Sequence, residues 1–598
     1  MSQADRDEEI AGKAYDSQLM KRLLTYLRPY KIHIAVSVVL LMGVAGLRLV
    51  GPYLTKTAID IHIVSGDVDG LHEVGSLYIL ALLLILLCRF LQIYLTNMAG
   101  QRVMFDVRMA VYRHMKKLSL TYYDRNPVGK LITRVTNDIE ALNEMFSSGV
   151  VNIFGDVFTL VGIMIAMILL DWKLALITLL VLPVLLWAAM IFRMKVRDAF
   201  REVRRWVAGI NSSLQESITG MSVVQLFNRQ EKNFEEFEEA NRGHQDAYIH
   251  TIRYYAIFFP AVEIISAVAI GLILWYGGGE VVQNALSLGV LIAFIQYVQL
   301  FFNPIYNLSE QYNTMQAAMA ASERLFALLD EKPEIEDLPQ PSEIDTLKGK
   351  IVFQNVWFAY KDEEWVLQDV SFTVQPGQRT AFVGATGAGK TTIISLICRF
   401  YDVQRGRILI DNVDIREMRQ KDLRRHIGLV LQDVFLFSGT IRENIRLWNE
   451  DISDDRITEA TGHVNASPFI ERLSDGYDST LSERGSTLSV GQRQLLSFAR
   501  TLAYDPAILV LDEATSNIDT ETELLIQDAL EKLMTGRTSI LIAHRLSTIQ
   551  NSDQIVVLHR GQIQEIGTHQ ELILQDGIYY KLYQLQYQEQ ETRLTDKG

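Results

Sequence analysis

Long apolar stretches dominate the first half of the chain. Six of them approach the roughly 20 residues that an α-helix needs to cross a bilayer. They lie at about residues 33–53, 76–97, 150–170, 174–192, 254–277 and 287–308. After about residue 310 the pattern changes to short apolar strands alternating with amphipathic helices. We therefore predict an α-helical polytopic membrane domain with six transmembrane helices, followed by a soluble α/β domain.

The distribution of basic residues predicts the orientation of these spans. Lys and Arg cluster before the first span, after the second and after the fourth, whereas the loops near residues 56–74, 171–173 and 278–286 hold almost none. Because basic loops stay inside, both termini and the α/β domain are expected in the cytoplasm. The acidic N-terminus resembles neither a signal peptide nor a transit peptide and is predicted to be a cytoplasmic tail, residues 1–17.

Two cytoplasmic connections, of about 50 and about 60 residues, are too long for simple loops. Their helix-compatible patterns predict that the membrane helices continue into the cytoplasm and turn back, although a separate small helical domain is an alternative. A segment rich in proline and acidic residues, DEKPEIEDLPQPSEID, marks a linker. The predicted organisation is a membrane domain at 18–325, a linker at 326–348, an α/β domain at 349–585 and a tail at 586–598.

Composition narrows the choice of partners. Hydrophobic residues make up 49% of the 598-residue chain and charged residues 21%, and the net charge of −14 includes no basic stripe for a nucleic-acid backbone. Nucleic acid is therefore an unsuitable partner, and the lipid bilayer is the expected one. The two cysteines, Cys88 and Cys398, cannot build a disulfide framework or a thiolate metal cage.

A glycine-rich loop, GATGAGKTT, follows the predicted strand Thr380–Val383 and precedes a helical pattern. This order of strand, loop and helix is typical of a P-loop, whose backbone amides surround phosphate oxygens. Lys390 would reach the β- and γ-phosphates, and the Thr391 hydroxyl would bind Mg²⁺. The predicted nucleotide-binding residues of this segment are Gly384, Thr386, Gly387, Ala388, Gly389, Lys390, Thr391 and Thr392.

Two carboxylates end a later apolar strand, AILVL. Asp512 is predicted to hold Mg²⁺, and Glu513 to polarise the water that attacks the γ-phosphate. A strand that merely ends in an acidic turn is the alternative, which the upstream glycine loop disfavours.

The segment TLSVGQRQLLSFAR lies about twenty residues before Asp512. Here the chain resembles the ATPase domain of an ABC transporter, in which the LSGGQ signature of one subunit caps the γ-phosphate held by the other. The resemblance implies that Ser489 and Gly491 make this contact. It also implies a P-loop ABC ATPase fold that works as half of a dimer.

The same resemblance assigns four further positions. Tyr360 matches the aromatic residue that stacks on adenine, and Gln432 matches the glutamine that contacts Mg²⁺ and the membrane-domain loops. Asp519 matches the acidic residue of the dimer interface, and His544 matches the histidine that contacts the γ-phosphate. Taken singly, a core tyrosine, an exposed loop glutamine and a strand-end histidine are the plain alternatives.

Further features resemble the exporters of this family. SERG resembles an exporter motif in which Glu483 touches the membrane domain, and Tyr122–Gly129 and Gly220–Phe227 match the two coupling helices. The resemblance implies ATP- and Mg²⁺-dependent export of amphipathic or hydrophobic compounds, drug-like or lipid-like, across the bacterial inner membrane by alternating access. An ATP-gated channel or a regulatory subunit on the same fold is the alternative, and the six spans exclude a soluble ATPase.

The signature departs from the family pattern at its third position, where Val490 replaces glycine. A β-branched residue restricts the backbone, so the ATP site that this signature caps is expected to be weaker. Together with Glu513 and His544, it resembles the catalytically intact half of bacterial heterodimeric multidrug exporters. A heterodimer with a second half-transporter is therefore favoured over a homodimer that tolerates valine.

Charges inside the spans are candidates for contacts with cargo. Arg89 and Glu263 fall near mid-membrane, and Arg48 and Asp156 nearer the ends of their spans; structural salt bridges are the alternative. We hypothesise that Glu263 lines the cavity and favours cationic or amphipathic cargo. An adaptable apolar surface is also possible, with ordinary helix packing as the alternative, from Phe258, Phe259, Phe294, Tyr297, Phe301, Phe302, Met164 and Met167.

Overall fold

The computed structural model describes residues 16–342, 344, 346–512, 520–542 and 546–585. The chain divides into two compact units. The helical unit comprises Met1–Lys116 and Val128–Glu331, and the α/β unit comprises Lys117–Pro127 and Lys332–Gly598. The second unit thus includes a short piece of the first predicted cytoplasmic connection.

The helices up to residue 331 follow the apolar pattern of the sequence. Five helical stretches are long and apolar enough to cross a membrane, and Leu288–Phe301 is a shorter apolar sixth, in agreement with six spans. Pro52, Pro260 and Pro304 lie within helices. The helices are α1 (Ser17–Leu27), α2 (Lys31–Thr57), α3 (Val68–Met115), α4 (Leu120–Arg125), α5 (Val128–Thr133), α6 (Ile139–Glu144), α7 (Val150–Leu170), α8 (Trp172–Leu179), α9 (Leu182–Thr219), α10 (Met221–Leu226), α11 (Gln230–Leu272), α12 (Gly278–Val282) and α13 (Leu288–Asp330).

Small residues bring the first and third spans close together. A Cβ at Gly155 of α7 would lie 2.7 Å from the Leu41 side chain of α2, and one at Gly162 would lie 2.6 Å from that of Leu49. Glycine therefore permits a backbone approach that any larger residue would prevent. The buried Tyr297 of α13 adds the sixth span to this group by donating a 2.8 Å hydrogen bond to the carbonyl oxygen of Leu49.

The fourth and fifth spans form a second group. Helices α9 and α11 pack chiefly on each other. They join the third and sixth spans through an apolar cluster. Its members include Ile163, Met167, Leu174, Ala269, Ile273, Phe294 and Tyr297.

Ion pairs fix the lower part of α13. Arg324 donates two hydrogen bonds to the buried carboxylate of Asp138, which lies before α6. Arg22 of α1 forms a two-pronged pair with Asp330 at 2.6 and 2.8 Å and lies 4.2 Å from the ring centre of Phe326. The end of the sixth span is thus held by two other segments of its own unit.

The described strands of the α/β unit form two main sheets. A four-stranded antiparallel sheet has the order β2-β1-β4-β5, and a six-stranded sheet has the order β12-β11-β3-β10-β9-β6, with β7 and β8 as a separate pair. The strands are β1 (Ile351–Ala359), β2 (Trp365–Val374), β3 (Arg379–Val383), β4 (Arg405–Ile410), β5 (Val413–Asp414), β6 (Ile427–Val430), β7 (Gly439–Thr440), β8 (Thr480–Leu481), β9 (Ile508–Asp512), β10 (Thr538–Ile542), β11 (Gln554–His559) and β12 (Gln562–Gly567).

Among the described residues, helices on these sheets enclose two large apolar cores and a smaller one around Ile549, Val557 and Leu572. One large core lies between the antiparallel sheet, strand β3 and helix α14, and the other surrounds helix α19. The helices are α14 (Lys390–Ile397), α15 (Gln420–Arg425), α16 (Ile441–Arg446), α17 (Asp454–His463), α18 (Ser467–Ile470), α19 (Val490–Ala503), α20 (Thr520–Met534), α21 (Leu546–Gln550) and α22 (His569–Leu574).

Candidate nucleotide-binding site

The sheet topology brings several predicted site residues to one edge. Strands β3, β10, β9 and β6 are parallel neighbours. The glycine loop follows β3, Asp512 ends β9, and the exposed Gln432 lies just after β6. In parallel sheets ligands bind beyond the carboxyl ends of the strands, so these groups occupy the expected position for a ligand site.

Two glycines of the loop adopt conformations that other residues rarely reach. Gly387 has φ +81° and Gly389 has φ +101°, both in the left-handed region. A Cβ at Gly389 would also lie 2.6 Å from the Leu367 side chain. Gly389 is the residue just before α14, so its conformation turns the loop directly into the helix N-terminus.

The Lys390 ammonium group points into the loop that precedes it. It donates hydrogen bonds of 2.6 and 3.1 Å to the carbonyl oxygens of Gly384 and Ala385. Burial lowers the pKa of Lys390, and the negative charge of Asp512 opposes this shift. Lys390, at the start of α14, and Asp512, at the end of β9, therefore interact electrostatically.

The chemistry of three predicted ligands suits Mg²⁺. Thr391, Gln432 and Asp512 offer a hydroxyl, an amide oxygen and a carboxylate, which are the hard oxygen donors that Mg²⁺ prefers. When bound, the ion would neutralise part of the charge on the phosphates.

Tyr360 combines a partly exposed ring with fixed neighbours. The ring is 39% exposed, and its hydroxyl donates a 3.2 Å hydrogen bond to the hydroxyl of Thr392 beyond the glycine loop. Phe358 and Tyr401 meet it edge-on, with ring centres 4.8 and 5.1 Å away. The tyrosine is thus held beside the loop and remains partly exposed.

The signature segment forms the N-terminus of α19. Ser489 caps this helix through its hydroxyl, which accepts from the amide of Gln492 at 3.2 Å, while the Gln492 side chain accepts from the Ser489 amide at 2.9 Å. Gly491 is tightly packed, since a Cβ there would lie 2.3 Å from Cγ2 of Thr522.

Val490 differs from the expectation of a restricted backbone. It lies in the first turn of α19, a conformation that valine adopts without strain, and its side chain is 49% exposed. The substitution therefore alters the exposed surface beside Ser489 rather than the path of the chain.

Three predicted residues, Glu513, Asp519 and His544, lie outside the described residues. Glu483 is described and lies exposed in a short 3₁₀ turn, Glu483–Gly485.

Comparisons with known proteins agree with this arrangement. The family model for the ABC transporter transmembrane region matches residues 34–305, and the ABC transporter model matches residues 367–516. An ATP-dependent lipid A-core flippase of Syntrophus aciditrophicus (strain SB) is 36% identical, covering 96% of this chain and 95% of that protein.

This chain belongs to the ABC transporter family. It is an exporter-type half-transporter that carries a membrane domain and an ATP-hydrolysing domain, and it is a multi-pass membrane protein.

Further similarities support the exporter type. A probable multidrug resistance ABC transporter ATP-binding/permease protein, YheH of Bacillus subtilis (strain 168), is 41% identical, covering 83% of this chain and 74% of that protein. The solved structure of a bacterial Atm1-family ABC exporter with ATP bound is similar at a TM-score of 0.77, with 29% identity, 94% coverage of this chain and 98% of that one.

Structural contacts add residues that the sequence reasoning missed. The hydroxyl of Tyr401 donates a 2.5 Å hydrogen bond to the Asp124 carboxylate on α4. Arg125 of the same helix lies 3.8 Å from Glu334. The predicted range Tyr122–Gly129 overlaps the end of α4, which ends at Arg125, and the start of α5, which begins at Val128. The contacts of α4 with Tyr401 and Glu334 join residues far apart in sequence, so no local sequence pattern indicated these contacts.

The candidate cargo residues occupy different surroundings. Asp156 accepts hydrogen bonds from the amides of Asn307 and Gln311 at 3.5 and 3.4 Å, and its charge and that of Arg89 both act on Arg48. Glu263 is exposed on α11. These polar groups therefore come from five different helices of the membrane domain.

Most of the candidate aromatic surface serves helix packing. Phe294, Tyr297, Phe301 and Met167 are buried in the apolar cluster of the membrane domain, and Met164 packs against it. Phe258 stacks on Phe192 with ring centres 3.9 Å apart, whereas Phe259 is exposed. The side chain of Phe302 lies outside the described part of the chain.

Proposed function

We propose that this exporter moves amphipathic or hydrophobic compounds, drug-like or lipid-like, out of the cytoplasmic side of the bacterial inner membrane. The main support is the pairing, in one chain, of six apolar spans with the glycine loop and signature of an ABC ATPase. The names of the relatives, a lipid A-core flippase and a probable multidrug resistance transporter, support cargo of this chemical class.

We assign hydrolysis to the glycine loop and to the predicted catalytic residues. Lys390 and the loop amides would bind and orient the phosphates, and Tyr360 would stack on the base. Glu513 is the proposed general base for the attacking water, with His544 and Gln432 positioning the γ-phosphate and the water. Thr391, Gln432 and Asp512 would hold Mg²⁺.

Two exposed surfaces support action as a dimer. Ser489 and Val490 are exposed at the N-terminus of α19, where the amides of a helix end favour a phosphate. Short helix α10 and the residue that follows it carry apolar side chains that are largely exposed, with Leu226 at 75% and Phe227 at 71%. A partner subunit that supplies phosphate to the first surface and covers the second would satisfy both. The range Gly220–Phe227, proposed as the second coupling helix, spans α10, while Asp519 is proposed to lie at the dimer interface.

Alternating access follows from differential affinity for ATP. Binding of two ATP molecules between the ATPase domains would favour their closed dimer, and the intracellular helices would convert this closure into outward opening. ATP drives the change only because it binds the closed state more tightly than the open one. Hydrolysis returns the pair to the inward-facing state.

The first test measures ATP hydrolysis by the purified chain in lipid. The control is Glu513→Gln, which should abolish turnover while keeping ATP binding. Glu513-dependent turnover by the chain alone would mean that a homodimer is sufficient. Negligible turnover from folded protein that binds ATP would support the proposed heterodimer and require a second half-transporter.

The proposed cargo class is tested through Glu263. Transport of a cationic dye into inverted vesicles should fall in Glu263→Gln, because removal of an exposed carboxylate removes an attraction for cations within a low-dielectric region. Glu280→Gln, outside the predicted middle of the span, is the matched control. Unchanged dye transport by Glu263→Gln would refute the assignment.

A further inference from the structure

A four-residue turn in the ATPase domain contacts three functionally distinct segments. The 399–402 turn, defined as Arg399–Asp402, follows α14 and precedes β4. It touches the linker that follows the sixth span, helix α4 of the first intracellular connection, and the proposed adenine-binding tyrosine. All of these contacts lie within the α/β unit.

Arg399 is the buried centre of this turn. Its side chain is only 2% exposed. Nε donates to Asp402 at 3.2 Å, and one terminal nitrogen donates to the Met418 carbonyl oxygen at 2.8 Å. The other donates to the Glu336 carbonyl oxygen at 3.3 Å. A charged group buried to this extent needs such partners, so loss of Arg399 would leave several of them unsatisfied.

The same part of the linker has a second attachment. Residues 335–337, here called the linker strap, receive two hydrogen bonds from Gln420. Its backbone amide donates to Asp337 at 2.9 Å, and its side-chain amide donates to the Ile335 carbonyl oxygen at 3.3 Å. Asp337 also lies 3.8 Å from Arg399. The chain that leaves α13 at Asp330 is therefore anchored on the ATPase domain within a few residues.

The turn connects this anchor to the nucleotide site and to α4. Tyr401 donates to Asp124 of α4 and meets the Tyr360 ring at 5.1 Å. Arg399 itself has φ +48°, an uncommon backbone conformation for a residue other than glycine. Such a conformation persists only where the surroundings enforce it and often marks a functional segment.

We propose that Arg399 is a positioning residue that couples the linker to the nucleotide site. It holds the linker strap against the turn that carries Tyr401. A shift of Tyr360 on ATP binding would then move this turn, and the turn would transmit the movement to the linker of the sixth span and to α4. This role rests on the proposed ATP-driven transport cycle. It assigns the linker strap to force transmission rather than to passive connection.

The structural part of the proposal is tested by proteolysis. Glutamyl endopeptidase cleaves after Glu334 and Glu336, and in Arg399→Gln we expect this cleavage to accelerate about tenfold, because the strap opens more often without its buried anchor. The matched control is Arg537→Gln, which removes a mostly buried arginine bound to the Leu533 carbonyl oxygen and to Asp505 instead. An unchanged cleavage rate in Arg399→Gln would overturn the proposal.

The functional part is tested by separating ATP binding from coupling. In the full transporter, with its partner if one is needed, Arg399→Gln should keep the KM for ATP within about twofold but lower dye transported per ATP hydrolysed by at least about threefold. A parallel loss of ATP binding and transport would instead indicate a folding defect and overturn a positioning role. The proteolysis result stands even if the chain hydrolyses no ATP, so failure of the proposed function remains distinguishable.

A second variant guards against misfolding of Arg399→Gln. Asp337→Ala combined with Gln420→Ala removes the two hydrogen bonds between Gln420 and the linker strap and leaves Arg399 in place. The same faster cleavage and reduced transport per ATP are expected. If both measurements match those of the unaltered chain, the strap does not transmit force and the proposal is wrong.

Discussion

The hydroxyl of Tyr401 and the carboxylate of Asp124, 277 residues apart in sequence, form a 2.5 Å hydrogen bond. Burial raises the pKa of Tyr401, and the hydrogen bond that its hydroxyl donates to Asp124 raises it further. The tyrosine therefore stays protonated and continues to donate throughout the physiological pH range. This bond ties helix α4 to the side of the nucleotide site that holds Tyr360.

Removing this bond should uncouple hydrolysis from cargo. In Tyr401→Phe we expect ATP binding to persist, because the ring still packs on Tyr360, while stimulation of hydrolysis by cargo falls about fivefold, the effect of losing about 1 kcal/mol. Asp124→Asn, which removes the acceptor charge, should have the same direction of effect.

The control for this prediction is Tyr477→Phe, which removes a hydroxyl that bonds to Thr461 at 2.6 Å elsewhere in the ATPase domain. Equal stimulation in Tyr401→Phe and Tyr477→Phe would contradict a special role for the bond to Asp124.

Gly389→Ala should weaken nucleotide binding. The residue has φ +101°, and the added methyl group would lie 2.6 Å from the Leu367 side chain. Both effects displace the loop amides, so affinity for a fluorescent ATP analogue should fall at least about tenfold. Gly387→Ala, in the same loop and also at positive φ but with open space around its Cβ, is the control for backbone strain alone. Equal affinity in the two variants would argue against the packing explanation.

Val490→Gly tests the departure from the signature. Because the valine side chain is exposed beside Ser489, its removal should make room for a partner's phosphate without changing the fold of α19. We expect hydrolysis by the chain alone to rise several-fold, since the site capped by this signature becomes competent. The lower helix propensity of glycine should destabilise α19 by only about 0.5 kcal/mol, so the melting temperature should change little. Unchanged hydrolysis would show that valine is tolerated.

Arg324→Met should destabilise the membrane domain. It leaves the buried Asp138 carboxylate without its two-pronged partner, and we expect a loss of about 2 kcal/mol, tempered because Arg324 is 45% exposed. The melting temperature in detergent measures this effect. Asp138→Asn in the same background should restore part of the loss, because a neutral amide is less costly to bury. No recovery in the double variant would indicate that Arg324 acts through other contacts.

His426 should make the ATPase domain sensitive to acid. Burial lowers the pKa of His426, and the positive charge of Arg425 lowers it further. A histidine with a lowered folded pKa contributes stability above its unfolded pKa of about 6.5, and this stability is lost as pH falls through the folded value. In His426→Asn the melting temperature should therefore decline less between pH values of about 7.5 and about 5.5. Parallel declines would refute this origin.

Local patterns were sufficient for much of this architecture. The apolar runs predicted the six spans because the bilayer sets their length, and the strand before GATGAGKTT predicted the position of the glycine loop. Where one residue type is required by backbone geometry, as at Gly389, the sequence carries the information directly. The role of Val490 was different, because the structure locates its effect on a surface rather than in the backbone.

Contacts between distant segments were beyond the reach of such patterns. Nothing in the neighbourhood of Arg399 or Tyr401 distinguishes a buried anchor from an ordinary turn, since their partners lie on the linker and on α4. The candidate aromatic surface shows the same limit. Phe294 and Tyr297 are residue types that are common in binding surfaces, but helix packing buries them. Periodicity identifies which residues face inward only when the neighbouring helix is known.

Because α9 and α11 pack chiefly on each other, we expect this pair to move as one rigid unit within the membrane domain. Because the apolar cluster around Ile163, Leu174 and Ile273 attaches this pair to the third and sixth spans, we expect the pair to move relative to those spans at that cluster. A cross-link between α9 and α11 should therefore leave transport intact. A cross-link that immobilises α11 against α7 should stop transport. Substitutions in the cluster should alter the rate at which the membrane domain opens more than its affinity for cargo.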